Sequence, residues 1–315
     1  MKKITVLILI ICLSFSIMTA TGCAGGEVSP SEDGQLKILC AGFVAYDLCR
    51  EILGGEEHLT LLGRAGMDMH SFEPTAADVA ALAEADVFVL VGGESSKWAD
   101  GMIRSAKNSK LATVKMVDYS DEVCADTHDH EGEDHGSDEH VWLSVSNVLR
   151  IVDAIEEAVI KAAIANGIDE KTVDAYRQNA NDYKMELGEL KSQYEQMVAN
   201  AKRNVILVAD RFPFVHLTCE LGIEYYAAFP GCSTETNASF ATQAELIEKT
   251  RELSLPCVFK IDGSDGVIAD KVADETGAKV LVLDSAQVVS AERMKTESYL
   301  DIMKKNFIAL SEALN

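Results

Sequence analysis

Histidine and aspartate side chains occur at four places in this sequence that lie at or beyond the ends of apolar runs, and one of them, His140, closes the acidic segment that follows such a run. In parallel α/β sheets, ligands bind at the carboxyl ends of the strands, so these places are candidates for a binding site. Neutral imidazole and carboxylate groups are ligands that suit zinc. The four places lie far apart in the chain, so they can meet only across a cleft between two lobes. In chain order, the residues are His70, His140, the pair Asp210 and His216, and Asp284.

Each of these residues alone also has an ordinary structural interpretation. A histidine in a loop is more often solvated or hydrogen-bonded than bound to a metal. Asp284 stands at a strand end, where it could cap the next element, and His216 lies within a predicted helix, where it could be a core residue. The metal hypothesis therefore rests on the joint pattern.

The segment 118–139 is dominated by acidic and histidine residues. It contains ten acidic residues together with His128, His130 and His135. Such a composition cannot bury a core, which predicts a loop. Because carboxylates raise the local cation concentration and imidazole suits zinc, we expect these histidines to serve as auxiliary metal-capturing groups. The alternative is a solvated linker with no role in metal capture.

Short apolar strands alternate with helices along the chain, and this alternation predicts βαβ units and parallel sheets. Two long amphipathic stretches, 145–166 and 169–201, follow one another with no strand between them. The sequence thus predicts an α/β protein with two Rossmann-like lobes joined by a helical spine, and a metal site in the cleft between the lobes. Strands are predicted at 36–41, 59–62, 86–91, 112–117, 204–209, 224–229, 256–261 and 279–283, and further helices at 43–53, 75–85, 95–105, 214–221, 239–253, 265–276 and 291–314.

The N-terminus has the pattern of an export signal. Lys2 and Lys3 precede an apolar run over 4–17, which is too short for a permanent membrane span. The following Thr19-Ala-Thr-Gly-Cys23 resembles a bacterial lipobox, with Ala20 where leucine is usual. That resemblance implies cleavage before Cys23 and lipidation of its thiol; the alternative is an ordinary signal peptide cut nearby. We predict a signal peptide at 1–22, a tether at 23–35, a first lobe at 36–144, a helical linker at 145–201 and a second lobe at 202–315.

Composition excludes some classes of function. The 315 residues carry a formal net charge of −23, which repels nucleic acid. Only 6% of the residues are aromatic, whereas pockets for organic solutes are lined largely by apolar and aromatic groups. The sequence contains no HExxH, GxSxG or P-loop motif, so nothing in it favours a zinc hydrolase. Six cysteines follow Cys23, and their spacing assigns no disulfide pairing.

Two motifs make the resemblance to a known family specific. Gly66-Met-Asp-Met-His-Ser-Phe-Glu-Pro74 resembles the G-x-x-x-H-x-[FY]-E-P motif of the zinc and manganese substrate-binding proteins of ABC transporters, the ZnuA/TroA-like type. Asp138-Glu-His-Val-Trp-Leu143 resembles their D-P-H-x-W-[LM] motif, with Glu139 in place of proline. Val282-Leu-Asp-Ser285 is similar to a late strand end that carries an aspartate. The resemblance covers nearly the whole chain after residue 35.

The resemblance implies a set of metal ligands. His70 and His140 correspond to ligands of the first lobe, and Asp284 corresponds to a ligand of the second. The remaining family position is occupied by Arg211, which has no lone pair to give a cation. His216 is the first choice for the missing ligand, Asp210 is the second choice, and Glu235 is a remote candidate.

The resemblance also implies a function. The protein is expected to be an extracytoplasmic, membrane-anchored binding protein that passes zinc to an ABC permease and its ATPase, not an enzyme, and to be a monomer. Zinc is favoured over manganese by the number of imidazoles, since carboxylate-rich sites suit manganese. Manganese binding remains an alternative, as do, from other classes, a zinc-dependent hydrolase and an adhesin.

Overall fold

Two four-stranded sheets organise this computed structural model, which describes residues 35–121, 138–231 and 238–315. The strands are β1 (Ile38–Ala41), β2 (Leu59–Leu62), β3 (Val87–Leu90), β4 (Ala112–Lys115), β5 (Val205–Phe212), β6 (Glu224–Pro230), β7 (Cys257–Ile261) and β8 (Lys279–Leu283). The first sheet has the order β2-β1-β3-β4 and the second the order β6-β5-β7-β8, with parallel pairing throughout. The predicted α/β fold with two parallel sheets is confirmed.

Helices connect the strands and cover both sheets. They are α1 (Phe43–Leu53), α2 (Ala76–Glu84), α3 (Lys97–Ala106), α4 (Val145–Ala165), α5 (Glu170–Ala199), α6 (Val215–Leu221), α7 (Phe240–Glu252), α8 (Val267–Thr276) and α9 (Tyr299–Leu314). Short 3-10 turns lie at Met69–Ser71, Glu94–Ser96, Met116–Tyr119, Val141–Leu143 and Arg293–Lys295. We call each sheet with its own helices a lobe.

Burial explains why the central strands lack polar residues. Every residue of β1 and β3 is buried, because these strands have a neighbour on each side and helices on both faces. On the outer face of the first sheet, Leu39 and Phe88 pack with Leu82 of α2 and Met102 of α3. The second sheet has a matching outer cluster against α7 and α8.

The inner faces of the two sheets share one continuous core. This core includes Val89 of β3, Phe259 of β7, Ile151 of α4, Leu187 of α5 and Leu310 of α9. Both long helices therefore contribute to the core that the two lobes share. Their hydrophobic stripes repeat at the three- and four-residue spacing of a helix face.

The final helix begins later than its sequence pattern suggests. The predicted range 291–314 was wrong at its start, because α9 begins at Tyr299. The Ser298 side chain accepts a hydrogen bond from the Asp301 backbone, and the Asp301 carboxylate accepts one from the Ser298 backbone. This capping box fixes the helix start. The preceding residues instead form the short turn that carries Arg293.

The predictions for the N-terminal segment and for the acidic loop fall largely on residues that the structure does not describe. The signal peptide, Cys23 and the tether up to residue 34 lie outside the described residues, as does most of the acidic loop. Within the described ranges, no helix is both long and apolar enough to cross a membrane. Cys40, Cys49 and Cys257 are buried free thiols, and Cys219 is disulfide-bonded.

Candidate metal centre

His70 lies on the loop that follows β2, at the carboxyl edge of the first sheet. It belongs to the 3-10 turn Met69–Ser71, which begins after Asp68. The Asp68 carboxylate accepts a hydrogen bond of 3.0 Å from the His70 backbone N–H. This contact satisfies a donor that the start of the turn would otherwise leave without a partner. The His70 residue is exposed.

His140 is hydrogen-bonded to Asp138, the aspartate two residues before it. The Asp138 carboxylate accepts a hydrogen bond of 2.8 Å from the His140 backbone and lies 2.9 Å from Nδ1 of the ring. An ionised carboxylate can only accept hydrogen bonds, so Nδ1 carries a proton and the lone pair lies on Nε2. A carboxylate that orients histidine in this way is the usual support for a metal-binding imidazole.

The ionisation of Asp138 fits this role. Burial raises the pKa of the carboxyl, but the hydrogen bonds from His140 and the nearby imidazole charge outweigh that effect. The net result is a pKa below the ordinary value for aspartate. The Asp138 carboxyl is therefore ionised at neutral pH, where it accepts the hydrogen bonds of His140.

The rings of His70 and His140 lie side by side. Their centroids are 5.8 Å apart and their planes are inclined by 46°. Zinc–nitrogen bonds of about 2.0–2.1 Å place the centroids of two rings on one tetrahedral ion roughly 5 to 6 Å apart. The structure therefore brings together the two first-lobe histidines at a separation that one ion can bridge.

His216 lies close to this pair but uses both ring nitrogens on protein atoms. Nε2 is 2.9 Å from the Asp138 carbonyl oxygen, and Nδ1 is 3.4 Å from the side-chain amide of Asn147. A neutral ring that donates from Nε2 and accepts at Nδ1 satisfies both contacts and leaves no lone pair for a metal. In this structure His216 thus supports the loop of His140, and its predicted role as a ligand stays a prediction.

Asp284 follows β8 directly, as the sequence indicates, but its carboxylate is engaged. One oxygen accepts a hydrogen bond of 2.8 Å from the Ala286 backbone, and the other pairs with Arg293. Arg293 also contacts Asp262 and Glu297. Asp284 must exchange the Arg293 guanidinium for a cation before it can ligate a metal, and its role too stays a prediction.

The other second-lobe candidates are less suited to a metal. The Asp210 carboxylate accepts hydrogen bonds from the backbones of Arg211 and Ile261. The Arg211 side chain lies on β5 and is 43% exposed. Glu235 lies outside the described residues, as do the loop histidines His128, His130 and His135.

A small cavity adjoins His70 between the two lobes. Its volume is about 40 Å³, whereas pockets for organic ligands occupy roughly 300–1,000 Å³. The cavity has room for an ion with its water but not for a sugar or an amino acid. Within the described ranges, no three His, Cys, Asp or Glu side chains are already arranged around one metal position. Its lining includes Asp68, His70, Glu139, Trp142, Ala286 and Gln287.

Sequence reasoning missed two contacts around this cavity. Glu139, which departs from the proline of the family motif, accepts hydrogen bonds from the backbone and hydroxyl of Ser95 and so joins the His140 loop to the loop after β3. Gln287 donates to Asp68 from the opposite lobe. The position of Asp68 two residues before His70 was a usable signal for a turn cap, but no local pattern marks Gln287.

Comparison with known proteins assigns the family. The family described as zinc-uptake complex component A, periplasmic, matches residues 38–313. The chain belongs to this family. It is a family of zinc-uptake components and not of enzymes, which confirms the resemblance found in the sequence.

Individual relatives agree with this assignment. The zinc-binding lipoprotein AdcA of Streptococcus pneumoniae is 27% identical over 99% of this chain, which spans only 61% of the length of AdcA. The high-affinity zinc uptake system protein ZnuA of Bacillus subtilis is 25% identical, over 97% of this chain and 96% of its own length. The Zn(II)-bound ZnuA-like domain of S. pneumoniae AdcA has the same fold, with a TM-score of 0.71, 24% identity, and coverage of 89% of this chain and 99% of that domain.

Proposed function

We propose that this protein captures zinc outside the cytoplasm and delivers it to an ABC importer. The observation that carries the proposal is the side-by-side placement of His70 and His140, with 5.8 Å between ring centroids. Asp138 orients the His140 ring through Nδ1, and the adjoining cavity suits an ion. The names of relatives such as AdcA and ZnuA, which are zinc-binding or zinc-uptake proteins, support the same cargo.

The first lobe supplies two nitrogen ligands in this proposal, and the second lobe completes the site. Asp284 is the preferred partner, because its segment already reaches the first lobe: Trp142 Nε1 donates to the Ser285 carbonyl over 2.8 Å. His216 is the further ligand if its ring releases Asp138, and Asp210 is the alternative. Imidazole nitrogen favours zinc over manganese. Manganese becomes the better cargo if carboxylates supply half of the ligands.

Membrane attachment is part of the proposal. Lipidation of Cys23 would hold the protein at the outer face of the cell membrane, and the lipoprotein name of AdcA supports this location. The tether at 23–35 would then let a monomer reach its permease and ATPase. Radiolabelled palmitate incorporated by the wild-type protein but not by Cys23→Ala is the expected result.

Direct metal titration tests the cargo. We expect the protein, purified free of metal, to bind one zinc ion per chain tightly in the cleft and to bind manganese more weakly there. His70→Ala and His140→Ala should each weaken zinc binding at least tenfold, as loss of a ligand does. His58→Ala is the matched control, because His58 precedes β2 at the opposite edge of the sheet from His70.

Two results would contradict the proposal. One is a wild-type protein that binds no zinc, and the other is a His58→Ala variant that loses as much affinity as the other two. Titration of Asp284→Asn, His216→Ala and Asp210→Asn then separates the second-lobe candidates. A ligand is a residue whose substitution lowers affinity without lowering the stability of the metal-free protein to urea.

The acidic loop has a separate test. We expect a variant with His128, His130 and His135 changed to serine to keep the affinity of the cleft but to take up zinc more slowly when zinc is scarce. Deletion of residues 126–137 should have the same effect. Equal uptake by the wild type and both variants would make the segment a plain linker.

A further inference from the structure

Two loops from opposite lobes meet beside His70. One loop follows β2 and includes Gly66 and Asp68, and the other follows β8 and includes Gln287 and Ser290. The side-chain amide of Gln287 donates a hydrogen bond of 3.0 Å to the Asp68 carboxylate. The approach is close enough that a Cβ added at Gly66 would lie 3.8 Å from the Ser290 Cα atom.

A single oxygen of Asp68 serves both lobes. Oδ1 accepts the Gln287 amide of the second lobe and also the His70 backbone N–H of the first lobe. The Asp68 carbonyl further accepts the Ser71 hydroxyl at 3.0 Å. Asp68 therefore holds the turn that positions the His70 ring, and Gln287 holds Asp68.

The Gln287 loop is tied to the first lobe at its other end as well. The Ser285 carbonyl accepts the buried Trp142 indole N–H, two residues after His140. Asp68, His70, Trp142 and Gln287 all line the same cavity. The lobes cannot separate at this cavity without breaking the contact between Gln287 and Asp68.

We propose that the Asp68–Gln287 hydrogen bond is an interlobe latch that fixes the His70 turn when the cleft is closed and slows the escape of the metal. The inference rests on the proposed zinc function. Gln287 is a positioning residue, because it acts on the metal through Asp68 and the turn. A neutral amide suits this place, since a lysine or arginine would repel the incoming cation.

The rate of metal release tests the latch. Zinc release into excess chelator should be about tenfold faster from Gln287→Ala than from the wild type, the size expected for a lost hydrogen bond to a charged group. The stoichiometry should stay at one ion per chain. Gln287→Asn, which is too short to reach Asp68, should behave like Gln287→Ala.

A double-mutant cycle assigns the effect to this pair. In an Asp68→Ala background, Gln287→Ala should cause little further acceleration, because the partner is already gone. Gln178→Ala, which removes an exposed glutamine that donates to Asp182 on α5, is the control and should release zinc at the wild-type rate. Additive effects of the two substitutions would overturn the latch.

A measurement without metal separates the latch from the zinc function. Backbone amides of residues 69–71 in the metal-free protein should exchange with deuterium several-fold faster in Gln287→Ala than in the wild type. Unchanged exchange there would overturn the latch even if zinc binds. Absence of zinc binding by the wild type would overturn the proposed function, while the exchange result would still judge the latch.

Discussion

At the scale of single residues, Asp138 organises the candidate centre. Its carboxylate accepts hydrogen bonds from the backbone and the ring of His140, and its carbonyl accepts one from Nε2 of His216. These contacts join two parts of the chain, and the two ring contacts each fix which nitrogen carries the proton. The proton on Nδ1 of His140 places the lone pair of the ring on Nε2.

Replacing Asp138 tests the orienting contact. Asp138→Asn keeps an acceptor oxygen but removes the negative charge that makes the imidazole more basic. We expect zinc affinity to fall about 10- to 100-fold, the usual effect of losing such a support. Competition with a chromophoric chelator measures this change. Asp174→Asn, at an exposed aspartate that pairs with Arg177, should bind as the wild type does; equal affinity for Asp138→Asn would refute an orienting role.

Sequence alone could place His70 and His140 but not the state of His216. The rule that ligands lie after parallel strands, together with the two motifs, depends on local sequence and chain order. The occupation of both His216 nitrogens depends on Asp138 and Asn147, which reach it from two other elements. The same is true of Asp284, whose partner Arg293 lies on a turn that the sequence pattern assigned to a helix.

At the scale of elements, apolar runs identified all eight described strands because each run is short and is followed by a polar, glycine or proline residue. Most helix ends were predicted to within about two residues, but the start of α9 was not. The start of α9 was misplaced because amphipathic spacing alone was extended back to residue 291, past the capping box at Ser298 and Asp301. A cap is a hydrogen-bonding signal, and hydrophobic periodicity does not contain it.

Removing the cap of α9 should cost stability. Ser298→Ala leaves the first turn without its side-chain acceptor, and we expect the free energy of unfolding to fall by about 1 kcal/mol. Urea denaturation of the metal-free protein measures the change. Ser311→Ala makes the same substitution inside α9, where alanine is the better helix former, so it should not destabilise. A loss for Ser311→Ala as large as that for Ser298→Ala would rule out capping as the cause.

At the scale of the whole molecule, a buried polar cluster joins α1 of the first lobe to the start of α9. The Asp47 carboxylate accepts the Tyr299 backbone N–H at 2.7 Å and pairs with Arg50. Arg50 in turn donates to the Met294 carbonyl at 2.9 Å. The Tyr299 hydroxyl donates to the carbonyl of Trp142, beside the candidate centre. These hydrogen bonds connect α1, the start of α9 and the segment of Trp142, and none of them involves Asp68 or Gln287.

This cluster should make stability depend on pH. Burial raises the pKa of Asp47 from 3.8 to about 6, against the opposing effects of the Tyr299 N–H and Arg50. A carboxyl with a raised pKa in the folded state favours folding most below its unfolded pKa. That contribution is lost as pH rises through 6, and it amounts to at most about 3 kcal/mol.

Comparison with Asp47→Asn isolates the effect. The nearby Glu51 and Asp301 titrate in both proteins, so their contributions largely cancel in the difference. We expect the unfolding free energy of the wild type, relative to Asp47→Asn, to fall between pH 4 and about pH 6.5 and then to level off. Urea denaturation at a series of pH values gives this curve. A difference that is constant over the series would mean that Asp47 titrates normally, and the cluster would then hold the lobes through an ordinary ion pair.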